Sequence, residues 1–505
     1  MNGMSVTIDQ PPPHAREGSP ERERAGGARG AVLGPLVGGC LKHAVLALQD
    51  GRGADAVEAI AAAAVADIQQ YSQAFLRGVP EAAALGSLYE RAFAQAGLSP
   101  GVREAAPIPR GRPARLVYVV GSVVEGQAAS ATIARLVALH DRRAFDPVVV
   151  VAEEATRRDP ALTFLRQPDA PSERVGAPTL ARLRAHAPVR VLHAGGTFVD
   201  GARDGVALMR DLAREAPIDL AVFVASSACP VQAGMAWARV APTQCVLSVG
   251  SPLVLRGVDA VIFNNPRRRR ADAPGLAAMG IRDAGVETSG GDAGGAAQAL
   301  ACTRASLGLP ARAVVLASVS NALERRMLAT TFARDLGAFL ARTPDAWWVG
   351  VGACETDGLT RAIAAGAGDR ANDVAARCVF LGARRDVPQV LKACDLLLNE
   401  YPEGGGNSVI ESMGAGVPVV AVRAGPRHAE CIGADLAGDD PAWGGVDSLD
   451  DYWRLATRLA TDEAARREAG RAQQRRALER LDYPVIARAY ERIFRGLMRA
   501  GERRS

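Results

Sequence analysis

The chain has 505 residues, of which 48% are hydrophobic, and this length and composition allow two or three domains with sizeable cores. Its net charge of +5 is mild for this length and argues against nucleic acid as the main partner. The eight cysteines and six histidines lie singly, without the paired spacing of a zinc site, so we expect reduced core cysteines and no tightly bound metal. Neither a run of eighteen uncharged apolar residues nor an apolar leader at Met1–Gly30 is present, and the expected location is the cytoplasm.

The amino-terminal part is predicted to be a polar tail followed by helices. Residues 1–30 are polar and poor in aromatic side chains, which indicates a disordered tail. In residues 31–105, apolar side chains recur at spacings of three and four, as at Val57, Ile60 and Ala64, and so share one helical face. This pattern predicts a small helical region or N-terminal extension, followed by a proline-rich linker at Pro100–Pro113.

From Arg115 onward, apolar runs of strand length alternate with stretches of helix length, which is typical of parallel, doubly wound α/β sheets. The first series predicts a domain over residues 113–265, and the second predicts another over 313–482, with a connection at 266–312 and a C-terminal helix at 483–505. Ligands of such sheets bind beyond the carboxyl ends of the strands. The predicted strands are Leu116–Val120, Val148–Val151, Val189–Leu192, Leu220–Val224, Cys245–Val249 and Ala260–Phe263, then Val314–Ala317, Trp347–Val351, Cys378–Leu381, Leu396–Leu398 and Val419–Val422.

One segment, Asn399–Val420, joins a glycine loop to a predicted short helix at Ser408–Met413. Three successive glycines let a backbone approach a ligand closely, and the unpaired amides at the start of the helix suit a diphosphate. Glu411 is placed to accept hydrogen bonds from a ribose diol, and Glu403 from sugar hydroxyls on the other side of the loop. The donor-binding candidates of this segment are Gly404, Gly405, Gly406, Asn407, Ser408 and Glu411.

Glu403 and Glu411, eight positions apart and followed by Met413–Val420 (MGAGVPVV), resemble the E-x7-E signature of group 1, GT-B fold glycosyltransferases. The resemblance implies two facing Rossmann-like domains, here with an N-terminal helical extension. It also implies that Glu403 contacts the transferred sugar, that Glu411 contacts the ribose, and that the anomeric configuration is retained. The alternative is a glycine-rich turn that carries two solvated glutamates.

Further donor-side candidates follow two other strands. The same resemblance implies a cation for the leaving diphosphate after the strand ending at Ala317, and because Lys42 and Lys392 are the chain's two lysines, Arg325 or Arg326 would supply it. The alternative is a solvated arginine pair on the first turn of a helix. Phe380–Val387 matches the stretch that lies along the nucleotide base in the family. Gly382 and Arg384 of this segment are therefore further donor-binding candidates. For Arg384, however, a position on an exposed basic turn is the preferred interpretation.

On the acceptor side, the loop Gly121–Gln127 follows the first predicted strand, where the family carries a phosphate loop. Gly121 and Gln127 are candidates for the acceptor site, and Glu125 could be a general base or a surface glutamate. His193 follows the third strand, a place more typical of a histidine at the edge of the core. Arg267–Arg270 is most simply a solvated basic patch, with contact to an acidic acceptor or a membrane surface as a minor option.

A second resemblance concerns Ala238–Pro252, which is similar to a stretch of O-GlcNAc-transferase-like enzymes and bacterial protein N-glucosyltransferases. Asn321–Arg325 resembles the donor segment of those enzymes, which makes Asn321 a donor-binding candidate. Those families invert the anomeric configuration and act on proteins, but the first loop here lacks their acceptor-side histidine.

Together, these features predict a glycosyltransferase whose donor is a nucleoside diphosphate sugar, with a UDP-sugar as the preferred candidate. No tightly bound cofactor is expected. Glu403, Arg325 and Glu125 are its catalytic candidates. The acceptor could be a glycan, a lipid-linked sugar, a small molecule or a protein, with peripheral membrane contact as an option and no nucleic acid. Two rivals stay open: a nucleotide-sugar epimerase or phosphorylase on the same fold, and a non-catalytic scaffold subunit.

Overall fold

The structure is a computed structural model that describes residues 36–69, 79–101, 111–125, 128–154, 171–226, 228–248, 253–286, 288, 290–320, 323–328, 330–401, 404–423 and 432–502. Two parallel β-sheets form the centres of two α/β domains in this part of the chain, as the sequence predicts. None of the described helices is both long and apolar enough to cross a membrane.

The amino-terminal helices pack onto the first sheet domain and share its core. Tyr89 and Phe93 are fully buried, and the Phe93 ring stacks on that of Trp237 with centroids 6.2 Å apart. The carboxylate of Glu58 accepts a hydrogen bond from the backbone amide of Phe198, which begins a helix of the first domain. The predicted helical region is therefore an extension of the first domain. Its helices are α1 (36–49), α2 (Gly53–Gln69) and α3 (Val79–Gln95).

The first sheet has seven parallel strands in the order β3-β2-β1-β4-β5-β6-β7. Helices cover both faces, so alternate residues of β1 enter different cores: Val117 packs toward the amino-terminal helices and Tyr118 packs on the opposite side. The domain contains β1 (Ala114–Val120), α4 (Ala128–Leu139), β2 (Phe145–Val151), α5 (Ser172–Val175), α6 (Ala177–His186), β3 (Val189–Val191), α7 (Phe198–Glu215), β4 (Leu220–Ala225), α8 (Pro230–Trp237), β5 (Gln244–Ser248), β6 (Ala260–Phe263), α9 (Pro266–Ala278) and β7 (Arg282–Val286).

The seventh strand corrects the predicted connection at 266–312, because β7 pairs with β6 and completes the first sheet. The sequence of β7, Arg-Asp-Ala-Gly-Val, lacks an apolar run, and each of its residues is only half-buried. This composition fits a strand at the edge of a sheet, where only one side is paired.

The second sheet has five parallel strands in the order β10-β9-β8-β11-β12. Its helix α16 extends the predicted Ser408–Met413 helix at both ends. The domain contains α10 (Ala293–Gln298), β8 (Val314–Val319), α11 (Leu323–Leu328), α12 (Phe332–Arg342), β9 (Ala346–Val351), α13 (Thr356–Ala367), α14 (Ala371–Ala375), β10 (Cys378–Phe380), α15 (Val387–Leu391), β11 (Leu396–Leu398), α16 (Gly406–Gly414), β12 (Val419–Val420), α17 (Gly433–Ala437), α18 (Leu449–Thr461) and α19 (Glu463–Arg480).

The last helix, α20 (Tyr483–Glu502), leaves the second domain and returns to the first. Its apolar stripe, which includes Ile486 and Tyr490, is buried against β1 and α4. The carboxylate of Glu491 accepts a hydrogen bond from the backbone amide of Asp141 at 2.8 Å, at the end of α4. The final helix therefore contributes side chains to the core of the first domain.

Candidate functional site

The candidate donor site lies at the carboxyl edge of the second sheet, where the neighbouring strands β8 and β11 end. The segment after β8 leads into α11, and the segment after β11 leads through the glycine loop into α16. A Cβ atom placed on Gly405 would lie 3.3 Å from Nη1 of Arg326 and 3.8 Å from the carbonyl oxygen of Val319. The glycine loop and the arginine of α11 are therefore in contact.

The shape of the glycine loop is fixed by hydrogen bonds from two polar side chains. Nδ2 of Asn399 and Oγ of Ser408 both donate to the carbonyl oxygen of Gly405, at 3.2 and 3.3 Å. A Cβ atom on Gly404 would lie only 2.0 Å from Oδ1 of Asn399, so a larger residue does not fit there without a rearrangement. These glycines thus have a packing function within the protein, in addition to the close ligand approach that their sequence predicts.

The amino end of α16 points into this loop, and no side chain of the described residues caps it at Gly405. The first amides of a helix have no partner within the helix, and together with the helix dipole they favour a bound anion. The guanidinium of Arg326 lies beside the same end and adds a full positive charge. This combination suits the diphosphate of a nucleotide.

Glu411 lies on α16 where the two domains meet. Burial, and then the negative charge of Asp292, raises the pKa of Glu411 to about 7. Asp292 begins α10 and accepts a hydrogen bond at 2.9 Å from Nη2 of Arg135, which belongs to α4 of the first domain. A carboxylate with a raised pKa at a domain boundary is a candidate for ligand binding.

Glu400 is a buried acidic residue at the site that the sequence did not single out. It follows β11 directly, and its side chain is 1% exposed. Among the described residues, neither its carboxylate oxygens nor Nε of Arg326 has a hydrogen-bond partner. Burial raises the pKa of Glu400 to about 7, although the positive charge of Arg326 opposes the rise. The available signal was a charged residue at the end of an apolar strand.

The acceptor-side candidates lie at the carboxyl edge of the first sheet. The carboxylate of Glu125 accepts hydrogen bonds from Oγ1 of Thr179 at 2.6 Å and from Nη2 of Arg182 at 3.2 Å. His193 is exposed, which differs from the core-edge position that the sequence favours. A Cβ atom on Gly121 would lie 3.2 Å from Cγ of Glu154. Glu154 was not predicted as a site residue, and its carboxylate accepts hydrogen bonds from the amides at the start of α8.

Comparisons with known proteins identify the second domain. Residues 318–441 match the family model described as glycosyl transferases group 1, and this interval contains the glycine loop, α16 and Glu411. The matched interval makes up most of the second sheet domain. The resemblance that the sequence carries to this family is thereby confirmed. No curated protein matches the chain.

Solved structures that match 75 to 93% of this chain show that it has the GT-B fold. Anabaena HepE in complex with UDP and glucose is 19% identical, with a TM-score of 0.51 over 75% of this chain and 99% of that one. A Thermobaculum terrenum O-GlcNAc transferase mutant is 15% identical, with a TM-score of 0.51 over 93% and 99%. A Rickettsia africae glycosyltransferase is 12% identical, with a TM-score of 0.54 over 76% and 99%. The predicted arrangement of two Rossmann-like domains is confirmed.

Within the GT-B fold, the structure brings Arg326 into contact with the glycine loop, while Glu411 lies further along α16 near Asp292. Two other arginines have different surroundings. Arg325 is exposed on α11. The guanidinium of Arg384 pairs with Asp386 through hydrogen bonds of 2.8 and 2.6 Å, which supports the interpretation of this segment as a basic turn. Gly382 has a left-handed backbone with φ of 64°, which favours glycine there whether or not a base lies against it. Glu403, Asn321 and Gln127 lie outside the described residues, so their roles stay predictions.

The predicted solvated patch at Arg267–Arg270 is wrong in part. Arg268 is buried and its Nε donates to Asp272 at 2.6 Å, while Nε of Arg269 donates to Asp283 of β7 at 2.7 Å. Arg269 therefore links α9 to the edge strand β7, whereas Arg268 forms its ion pair within α9. Over the described ranges, no group of three or more His, Cys, Asp or Glu side chains is arranged to hold a metal ion.

Proposed function

We propose that the chain transfers a sugar from a UDP-sugar to a hydroxyl or amide acceptor. The observation that carries this proposal is the amino end of α16, which no side chain of the described residues caps and which lies beside Arg326, within the interval that matches the group 1 glycosyltransferase model. Anabaena HepE forms complexes with UDP, with UDP and glucose, and with UDP-glucose, which supports UDP as the first nucleotide to test.

In the proposed reaction, each group of the site has a separate task. The amides of Gly406, Asn407 and Ser408 and the guanidinium of Arg326 bind the diphosphate and stabilise the charge that develops as it leaves. Glu411 accepts hydrogen bonds from the ribose hydroxyls, and Glu403 contacts the transferred sugar. Because helix amides and a guanidinium supply the positive charge, these steps require no bound metal.

Glu125 is a weaker candidate for the general base than the sequence alone suggests. Its carboxylate is already bound by Thr179 and Arg182 of its own domain. We propose retention of the anomeric configuration from the E-x7-E resemblance, a route in which no side-chain base need be placed at Glu125. Proton nuclear magnetic resonance of the first product formed from UDP-glucose distinguishes the two outcomes. An α-linked product from this α-linked donor supports retention, and a β-linked product contradicts it.

A second candidate is an inverting protein glycosyltransferase similar to O-GlcNAc transferases. The likeness to the Thermobaculum terrenum O-GlcNAc transferase supports this candidate because it covers 93% of the chain. Only about 35 of the 505 residues lie outside the matched part, so the likeness must include some of the amino-terminal helices within 36–101. The HepE likeness, in contrast, covers 75% of the chain. Transfer of labelled sugar to proteins of a cell extract favours this candidate, whereas transfer confined to glycan or lipid acceptors favours the first. The protein acceptor and the cytoplasmic location stay predictions.

The first experiment measures thermal unfolding of the purified protein with UDP, GDP, ADP and TDP, alone and as their sugars. A ligand that binds only the folded state raises the apparent stability. A rise in the unfolding temperature with UDP that is lost in Glu411→Ala supports the proposed donor site. A rise with a different nucleotide instead would identify that nucleotide as part of the donor. If no nucleotide shifts the transition, the scaffold alternative is favoured. Release or isomerisation of the sugar without an acceptor favours the phosphorylase or epimerase alternative.

A further inference from the structure

Two charged groups near the glycine loop, the carboxylate of Glu400 and Nε of Arg326, have no hydrogen-bond partners among the described residues. The carboxylate of Glu400 is buried directly after β11, and Nε of Arg326 is buried on α11. A buried carboxylate without hydrogen bonds is costly, and such groups are retained where they have a function. Arg326 is the charged side chain whose field acts on Glu400, and its Nη1 lies against Gly405.

The geometry of a guanidinium allows it to serve two anions at once. Its five N–H donors lie in one plane, so a carboxylate can bind along the Nε side while a phosphate binds along the Nη side. In this site, Nη1 of Arg326 faces the loop and the amino end of α16, and Nε is the unpaired atom. Glu400 is too deeply buried to reach a sugar, and it can act on the reaction only through a neighbouring residue.

We propose that Glu400 is a positioning residue whose buried carboxylate orients Arg326 toward the diphosphate of the nucleotide sugar. This proposal rests on the proposed function and adds to it a residue that the family signature does not include. In this proposal, donor binding holds the guanidinium of Arg326 between the carboxylate of Glu400 on its Nε side and the diphosphate on its Nη side. Arg326 then has its positive charge fixed at the place where the leaving group becomes more negative.

The proposal predicts a separation between binding and transfer. Glu400→Gln keeps the size of the side chain and removes the charge that orients Arg326. We expect kcat for UDP release from UDP-glucose to fall by about 10- to 100-fold, as for a misplaced catalytic group. The dissociation constant of UDP should stay within about threefold of the wild-type value, because a nearby negative charge does not itself favour binding of a diphosphate. Glu479→Gln, an exposed site on α19, is the matched control and should leave both quantities unchanged.

A double-mutant cycle tests whether Glu400 acts through Arg326. Arg326→Gln should lower both UDP affinity and kcat, and adding Glu400→Gln to this variant should have no further effect on kcat. If kcat of the double variant falls by the product of the two single effects, the two residues act independently and the proposal is overturned. A wild-type kcat in Glu400→Gln would also overturn it. The wild-type protein is measured first with UDP, GDP, ADP and TDP, because a failure to bind any of them overturns the proposed function itself and is thus distinguished from a failure of the positioning role.

The pH dependence of kcat separates orientation from a purely structural role. Glu400 has a pKa raised to about 7, so the wild-type kcat should fall as the pH drops below neutrality and the carboxylate takes up a proton. The measurement uses saturating UDP-glucose, so that Glu411 stays bound to the ribose hydroxyls. The titration of Glu411 then does not contribute to the pH dependence of kcat. Glu400→Asp retains a charge and should retain this acidic fall, with an intermediate kcat, whereas Glu400→Gln should lose it. If Glu400→Gln does not fold, an unchanged pH profile in Glu400→Asp supports the proposal, and a lost acidic fall in that variant overturns it.

Discussion

Replacing Glu411 by glutamine should stabilise the empty protein while it weakens nucleotide binding. The pKa of Glu411 is about 7 in the folded protein, instead of the ordinary 4.5, because of burial and the nearby charge of Asp292. Between about pH 4.5 and pH 7 the folded protein therefore holds a proton that the unfolded chain has released. The contribution of this group to the free energy of unfolding falls as the pH rises through that window.

The size of the effect follows from the same two pKa values. Above pH 7, keeping this carboxylate ionised in the fold costs about 3 kcal/mol relative to the unfolded chain. Glutamine avoids the cost, so Glu411→Gln should be more stable than the wild-type protein by up to about 3 kcal/mol at pH 8. At pH 5 the wild-type carboxyl is already neutral in the fold, and the two proteins should differ by less than about 1 kcal/mol.

Binding should change in the opposite sense. The ionised carboxylate accepts charge-assisted hydrogen bonds from the ribose, and their loss should weaken UDP binding by about 1 to 3 kcal/mol, or about 5- to 150-fold. Because the charged form binds the ribose, the wild-type affinity for UDP should rise with pH through about 7. The glutamine variant should lack this rise.

Urea unfolding at pH 5 and pH 8, together with titration calorimetry of UDP at the same pH values, checks these expectations. Glu479→Gln is the control for removal of one carboxylate from the surface. A Glu411→Gln variant that is less stable than the wild-type protein at pH 8 would refute the account of a strained, ionised carboxylate. Unchanged UDP affinity would refute its assignment to the ribose.

Three further predictions concern other parts of the molecule. Arg326→Gln should weaken UDP binding by at least about tenfold more than Arg325→Gln, because Arg326 faces the glycine loop and Arg325 is exposed; calorimetry of the two variants under the same conditions checks this. Gly404→Ala should lower the unfolding temperature and weaken UDP binding, because its Cβ would meet Asn399, and an alanine variant with wild-type behaviour would contradict the tight packing of the loop. Phe494→Ala, in the core between α20 and β1, should cost about 3 to 5 kcal/mol of stability in urea unfolding, and a loss below 1 kcal/mol would mean that α20 is not docked as described.

Features that repeat along the chain could be predicted from the sequence. Apolar runs separated by helix-length stretches gave both sheets, because buried parallel strands must be apolar on both faces. The C-terminal segment was predicted as a helix, and the structure places the apolar stripe of α20 on the first domain. The glycine loop and α16 were predictable because their signal lies within one continuous segment.

Features that depend on distant parts of the chain could not be predicted in the same way. The burial of Glu400 depends on how the whole second domain packs around the end of β11, and the orientation of Arg326 depends on which face of a short helix meets the glycine loop. The edge strand β7 has too little apolar character to stand out, since its stability comes from pairing with β6. The buried ion pair of Arg268 did have a local signal, because Asp272 lies one helical turn further along the chain.

The return of α20 to the first domain has a consequence for the order in which the protein can be made. Side chains of this last helix complete one of the two cores of the first sheet, although most of that domain is synthesised before the second domain begins. During translation the first domain must therefore wait, with an apolar face of its sheet and α4 uncovered, until α20 has left the ribosome. Exchange of whole domains between relatives would be subject to the same dependence, and a hybrid should take its final helix from the parent that supplies its first domain.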